Sequence, residues 1–186
     1  CDLMQKTVNK MEYFVKNVVN VTYNLTAELQ PSNINIKHMI EEIFAEAVYI
    51  EGSSLVKKQI SVQNEGNIFV SDKNRLKVIL KNLIFNAIQY ANHNTECFVD
   101  VKVKICPTRV QIEICDNGIG IEDEHQEKIF NLFYRAHHTS KGSGLGLYIV
   151  KKVLDKINGV INIESVYEKG TRAKLNIPNL INLNKN

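Results

Sequence analysis

Between residues 97 and 115 the chain alternates strictly: Val99, Val101, Val103 and Ile105 fall on one side of an extended backbone, and Asp100, Lys102 and Lys104 on the other. Side chains of a strand point alternately to opposite faces, so this segment must lie on a sheet with one dry and one wet face. The same period recurs in Val110, Ile112, Ile114, in Ile161, Ile163, and in Ala173, Leu175, Ile177. Sheets with one solvated face are mostly antiparallel, and the apolar face needs a cover. The pattern therefore predicts an α+β two-layer sandwich, a mixed, mostly antiparallel sheet with helices on one face. Weaker β-like stretches stand at Ile60, Val62 and at Ile68 to Val70.

The covering layer is legible as helices. One is predicted at about 36–49 through Met39, Ile40, Ile43, Phe44 and Ala47; a second starts at Ser71 or Asp72, either able to cap it, and runs to about 92. A third follows the glycine-rich stretch at 142–146 and carries Leu145, Ile149, Val153, Leu154 and Ile157. Ahead of them, Met4, Val8, Met11, Val15, Val18, Thr22 and Leu25 step by fours and threes over residues 1–27, a heptad seam. Phe14, Val19 and Val21 widen it toward a helical bundle. Pro31, Ser32 and Asn33 break the pattern.

With 186 residues, 44% of them hydrophobic, the chain can bury one good core and carry a short appendage. The net charge of +3 is spread over the length without basic blocks beyond pairs such as Lys57-Lys58, which argues against nucleic acid as a partner. Cys1, Cys97, Cys106 and Cys115 form no CxxC pair and no zinc spacing, so they read as reduced thiols in a cytoplasmic setting. No apolar run reaches the roughly 20 residues of a membrane span. The N-terminus starts on Cys1, so a longer natural protein, with any membrane anchor upstream, is expected.

Three segments carry chemistry. On the 72–92 helix Asn82, Asn86, Gln89 and His93 form a ridge of uncharged polar groups; it could be a solvated face, yet such faces usually carry charge, and an asparagine oxygen suits Mg²⁺ that already bears a triphosphate. Asp116-Asn117-Gly118-Ile119-Gly120 places a carboxylate at a strand's exit, able to accept from an exocyclic amine such as adenine's; the plain alternative is a turn. Lys141-Gly142-Ser143-Gly144-Leu145-Gly146-Leu147 runs into a helix start, an anion cradle. It is no Rossmann fingerprint, since Leu147 stands where a glycine is needed, and no P-loop, since Gly-Lys-Ser or Gly-Lys-Thr is missing.

In this order the segments resemble the catalytic domain of sensor histidine kinases, in the superfamily of gyrase, the Hsp90 chaperones and MutL. Residues 82–87 look like its N box, 116–120 its first glycine box, 129–136 (Ile-Phe-Asn-Leu-Phe-Tyr-Arg-Ala) its F box, and 142–147 its second glycine box. Gly170-Thr171 before a last strand also looks like the family's ending, and the match covers about 55–178. The resemblance implies a Bergerat ATP-binding fold at 55–180, preceded by a linker and first helix at 31–54 and by the end of a dimerisation and phosphotransfer hairpin at 1–30, with a tail at 181–186. It implies that Asn86 holds Mg²⁺, that Asp116 accepts from adenine, and that Gly118 and Gly120 shape the pocket. Gly142, Gly144 and Gly146 would close on the phosphates, with Leu145, Gln89 and Tyr90 beside the nucleotide. A lid at 121–143, anchored by Phe130 and Phe133, would offer Arg135 or Lys141 to the triphosphate, while His137 and His138 face solvent.

The implied activity is transfer of the ATP γ-phosphoryl to a histidine upstream of Cys1, on the same protein or a dimer mate, then to the aspartate of a response-regulator receiver domain. His38 lies beyond the Pro31 break, without the acidic and Arg-Thr-Pro-like surroundings of an acceptor. Asn82 stands where gyrase-like ATPases have a water-activating glutamate, and an amide is no base, so transfer is favoured over hydrolysis. Gln89 stands where the family often has lysine, which shifts phosphate contact toward Lys141 or Arg135. The competing expectation is a non-catalytic nucleotide-binding or docking module of the same fold; steady ATP hydrolysis is a third.

Overall fold

The computed structural model describes residues 26–92, 96–136 and 143–182. The heptad seam before Thr26, and His93, His137, His138, Lys141 and Gly142, lie outside these residues. In chain order the main elements are β1 (Pro31–Asn33), α1 (Ile36–Glu46), β2 (Lys57–Asn64), β3 (Val70–Asp72), α2 (Lys73–Gln89), β4 (Phe98–Ile105), β5 (Arg109–Asp116), α3 (Asp123–Gln126), α4 (Gly146–Lys156), β6 (Val160–Val166) and β7 (Gly170–Pro178).

Five strands form one sheet in the spatial order β2-β4-β5-β7-β6. All its pairings are antiparallel except β2 with β4, which run parallel with α2 lying between them in the chain. The alternation sets the register: Val103 pairs with Ile112, and Ile112 with Leu175, a dry row across the middle of the sheet. One residue away Lys102, Glu113 and Lys174 form the matching polar row. Helices α1, α2 and α4 cover the dry face, and Ile40, Ile43, Leu76, Ile79, Leu80, Ile84 and Leu154 are sealed from solvent in a single core with the strands. Each such side chain contributes roughly 1.5–3 kcal/mol. The two-layer α+β sandwich read from the sequence is the architecture found.

The helix expected at 36–49 is α up to Glu46 and tightens into a 3₁₀ turn at 47–49. That expected to run to 92 stops at Gln89, because the next carbonyl, on Tyr90, accepts from Ile119 N–H at 3.0 Å instead of continuing the ladder. Its N-cap is Asp72, whose carboxylate accepts from Arg75 N–H at 3.0 Å. Residues 31–33, read as a break, form β1 and pair antiparallel with β3. Among the described residues no helix is long and apolar enough to cross a membrane.

Candidate functional site

Strand β5 delivers Asp116 to the end of the sheet, where both backbone donors that reach its carboxylate fall on Oδ1: Gly118 N–H at 2.9 Å and Thr171 N–H at 3.3 Å. Among the described residues nothing donates to Oδ2, which leaves that oxygen for a ligand's N–H. Burial pushes the carboxyl up to about 6, against the pull of the two donated bonds. A carboxylate that poorly solvated gains more than an exposed one from a matched donor.

The backbone around Asp116 is pressed so close that side chains are excluded. A Cβ on Gly118 would stand 2.4 Å from the Tyr90 carbonyl oxygen, and one on Gly120, at φ 67°, 2.1 Å from the Val166 carbonyl oxygen. Gly170, at φ 116°, would put a Cβ 2.1 Å from the Asp116 carbonyl oxygen. Gly118 and Tyr90 are thus structural walls of one pocket, which joins the end of α2 to the end of β5. Gly170→Ala combines a forbidden contact with a left-handed backbone, so it should destabilise the fold by about 2–4 kcal/mol. That is roughly a 5–15 °C drop in Tm for a chain of this size. Thermal unfolding beside a Gly66→Ala control, whose φ is also positive but whose Cβ meets nothing within 4 Å, separates collision from backbone strain.

One turn apart on α2, Asn82 and Asn86 are half-buried and face the start of α4. A Cβ on Gly146 would lie 3.1 Å from Asn82 Oδ1 and 3.8 Å from Asn86 Nδ2. A side chain at 146 would press on the Asn82 amide, which would have to yield by a few tenths of an ångström. Asn82 is committed as a donor, its Nδ2 bonding the Val78 carbonyl at 2.8 Å, which fixes a neutral amide where a general base would need a carboxylate. Among the described residues no side chain caps α4, and a helix start of that kind offers its first amides to an anion. Leu145 is buried, so only its backbone can meet a ligand. Gln89 and Tyr90 are half-buried at the other end of the amide ridge.

The lid segment holds the short helix α3 and is pinned from beneath. Gln126 Nε2 donates to the Ser165 carbonyl at 2.9 Å, and His125 Nδ1 meets the Tyr134 hydroxyl at 2.7 Å. Its apolar anchor is Ile129, which is buried; Phe130 is half-buried, and Phe133, expected as an anchor, is 54% exposed with φ 64°. The Phe133 backbone instead serves as the surface on which Gly144 packs, a Cβ there standing 2.6 Å from the Phe133 carbonyl carbon. Arg135 is exposed on the lid.

The structure thus brings Asp116, Gly118 and Tyr90 to one cluster and Asn82, Asn86 and Gly146 to another, both along α2. Sequence reasoning missed that Thr171 and Gly170 complete the Asp116 pocket. In the sequence they stand only as a family-like ending before the last strand, and the antiparallel pairing of Asp116 with Thr171 supplies the link.

A one-sided sandwich with a half-buried strand-exit carboxylate and a glycine-led helix start is the ATP-binding two-layer class. The chain belongs to the histidine kinase-, DNA gyrase B- and HSP90-like ATPase family, whose model matches residues 71–181. It is 35% identical over 119 residues to the sensor protein RprX of Bacteroides fragilis, covering 62% of this chain and 23% of that one. It is 32% identical to the phosphate regulon sensor protein PhoR of Haemophilus influenzae over 64% of this chain and 28% of that one. The histidine protein kinase SaeS of Staphylococcus aureus matches at 26% over 96% and 52%. The chain thus spans from about a quarter to about half of these curated relatives. Among solved structures, the nucleotide-free catalytic domain of histidine kinase ThkA superposes with a TM-score of 0.68 at 26% identity, over 82% of this chain and 97% of that one. The mycobacterial sensor histidine kinase MprB shares the fold, with a TM-score of 0.66 at 23% identity over 81% and 97%.

Proposed function

We propose that this chain is the catalytic part of a sensor histidine kinase. It takes up ATP with Mg²⁺ and passes the γ-phosphoryl to a histidine on chain preceding Cys1, for relay to a receiver-domain aspartate. One observation carries the proposal: α2 holds, along a single axis, the wall of a carboxylate pocket at its end and two neutral amides against an uncapped helix start. That spacing suits a ligand with an amine-bearing base at one end and a charged tail at the other.

In this reading Asp116 Oδ2 accepts from the adenine amine, the walls of Gly118 and Gly120 admit the ring, and the first amides of α4 hold phosphate oxygens. The magnesium ion fits Asn86, a neutral oxygen donor, and when bound it would neutralise the polyphosphate charge. Asn82, held by Val78, excludes a base from the water side, so the tail is kept for a positioned nucleophile. By the family resemblance Arg135 or Lys141, within the lid sequence 121–143, would add positive charge. The division at 1–30, 31–54 and 55–180, dimerisation through the heptad seam, a cytoplasmic location and membrane anchoring of the whole protein belong to the same proposal.

Incubation with labelled ATP and Mg²⁺ tests it. A longer natural chain that includes the upstream helix should form acid-labile, base-stable phosphate on histidine, and phosphate release from residues 1–186 alone should stay near background. Steady release at rates matching ATP turnover would instead favour hydrolysis, and absence of ATP binding would favour a docking module.

A further inference from the structure

Arg75 and Asp72 are among the few charged side chains that are buried, each 3% exposed, and they are bonded to each other through Arg75 Nη1 and Asp72 Oδ2. Burying such a pair costs desolvation free energy on both sides, so its presence calls for something beyond a cap. The cap needs only Asp72 Oδ1 and the Arg75 backbone. The guanidinium reaches elsewhere: Nη2 donates to the Ala27 carbonyl at 2.5 Å and Nη1 to the Glu28 carbonyl at 3.3 Å, chain lying 48 and 47 residues away. Asp72 Oδ2 also accepts from Gln30 N–H at 3.0 Å, and Pro31 to Asn33 then pair with Asp72 to Val70. The side-chain bonds to Ala27, Glu28 and Gln30 tie the entering chain to the start of α2, and the β1–β3 pairing extends the tie through residues 31–33. Asn82 and Asn86 follow on that same helix, roughly two and three turns on.

We infer that Arg75 is a positioning residue, seating the chain that enters the domain at a set angle to the helix bearing Asn82 and Asn86. The inference rests on the phosphoryl-transfer reading above. If the accepting histidine lies on the entering chain, its nitrogen must come within about 3–3.5 Å of the γ-phosphorus, and small errors in approach are costly. A guanidinium fork on two successive carbonyls fixes direction as well as distance. The sites for adenine and phosphate stand on other residues and do not need it.

The test uses the full-length protein and three variants. Arg75→Met keeps length and removes the fork; Arg75→Lys keeps charge with one point of contact. Asn179→Ala breaks a different buried clamp at the same end of the domain, Asn179 Oδ1 with Val70 N–H at 2.9 Å, and controls for lost stability. For Arg75→Met the expected result is an autophosphorylation rate at saturating ATP lower by about tenfold or more, with the Kd for a nonhydrolysable ATP analogue within about twofold. Hydrogen exchange at the Gln30 amide should quicken by a similar factor. Arg75→Lys should recover part of the rate, and Asn179→Ala should lower Tm while leaving rate and Gln30 protection close to wild type. Equal rate losses in Arg75→Met and Asn179→Ala at matched Tm, or an unchanged Gln30 amide, would overturn the inference. If Arg75→Met does not fold, Arg75→Lys carries the same comparison. A wild type that binds nucleotide without phosphorylating sinks the kinase reading, and Gln30 exchange still decides the seating.

Discussion

Replacing Asp116 with asparagine should weaken ATP binding by about 100-fold while making the nucleotide-free protein more stable at neutral pH. Asparagine keeps an oxygen for the Gly118 and Thr171 amides, which hold it in the Oδ1 position. Its NH₂ then stands where Oδ2 was, donor against the donor of an adenine amine. A charge-assisted bond contributes about 1.5–3 kcal/mol, and 1.4 kcal/mol is tenfold in affinity. The stability gain has the opposite sign because the folded carboxyl, at about 6, lies above its ordinary value of 3.8. The folded protein holds this proton more tightly, so stability falls as pH rises from about 4 to 6 and stays low above that. The upper bound on the cost is about 3 kcal/mol, two pKa units at 1.36 each. Asn cannot ionise, so the advantage of the variant should be seen at pH 7–8 and vanish near pH 4. Wild-type ATP binding should correspondingly weaken below about pH 6, as the acceptor becomes protonated. Denaturant unfolding at both pH values and calorimetric titration check the two halves separately. A variant that loses stability and keeps ATP would remove Asp116 from the pocket.

Asn86→Ala should abolish phosphoryl transfer, with a loss of about 1,000-fold, and erase the Mg²⁺ dependence of ATP binding. Asn86 is half-buried and its side chain makes no hydrogen bond among the described residues, so folding should change by under about 1 kcal/mol. Charge neutralisation by the ion is a large share of catalysis in this chemistry, which is why the expected loss in rate exceeds the loss in affinity. The check is titration with ATP in Mg²⁺ and in EDTA for both proteins. Equal Mg²⁺ enhancement in wild type and variant would place the ion elsewhere.

The layer architecture was legible because period-two alternation is a direct readout of which strand face is dry, as in Val99 to Ile105. The amide ridge was legible for a similar reason, since residues 82, 86 and 89 fall on one side of a helix whatever it packs against. Pairing partners were not. Nothing local to Gly170 or Thr171 marks them as neighbours of Asp116; only the β5–β7 register does. The parallel pairing of β2 depends on the crossover through α2 and leaves no mark on its half-buried alternation. The family resemblance implies Phe133 as a lid anchor, but a left-handed backbone at that position turns the side chain out and offers the main chain to Gly144. Nothing in the local sequence singles out Arg75. Its burial comes from carbonyls almost fifty residues earlier in the chain.

The most direct measurement is a crystal structure with a nonhydrolysable ATP analogue and Mn²⁺ in place of Mg²⁺, read at the manganese anomalous signal. The adenine amine is expected within hydrogen-bond distance of Asp116 Oδ2, the phosphates at the first turn of α4, and the anomalous peak beside the Asn86 side-chain oxygen. A base bound away from Asp116, or a peak coordinated by the Glu122, Glu124 and His125 side chains of the lid instead, would contradict the account.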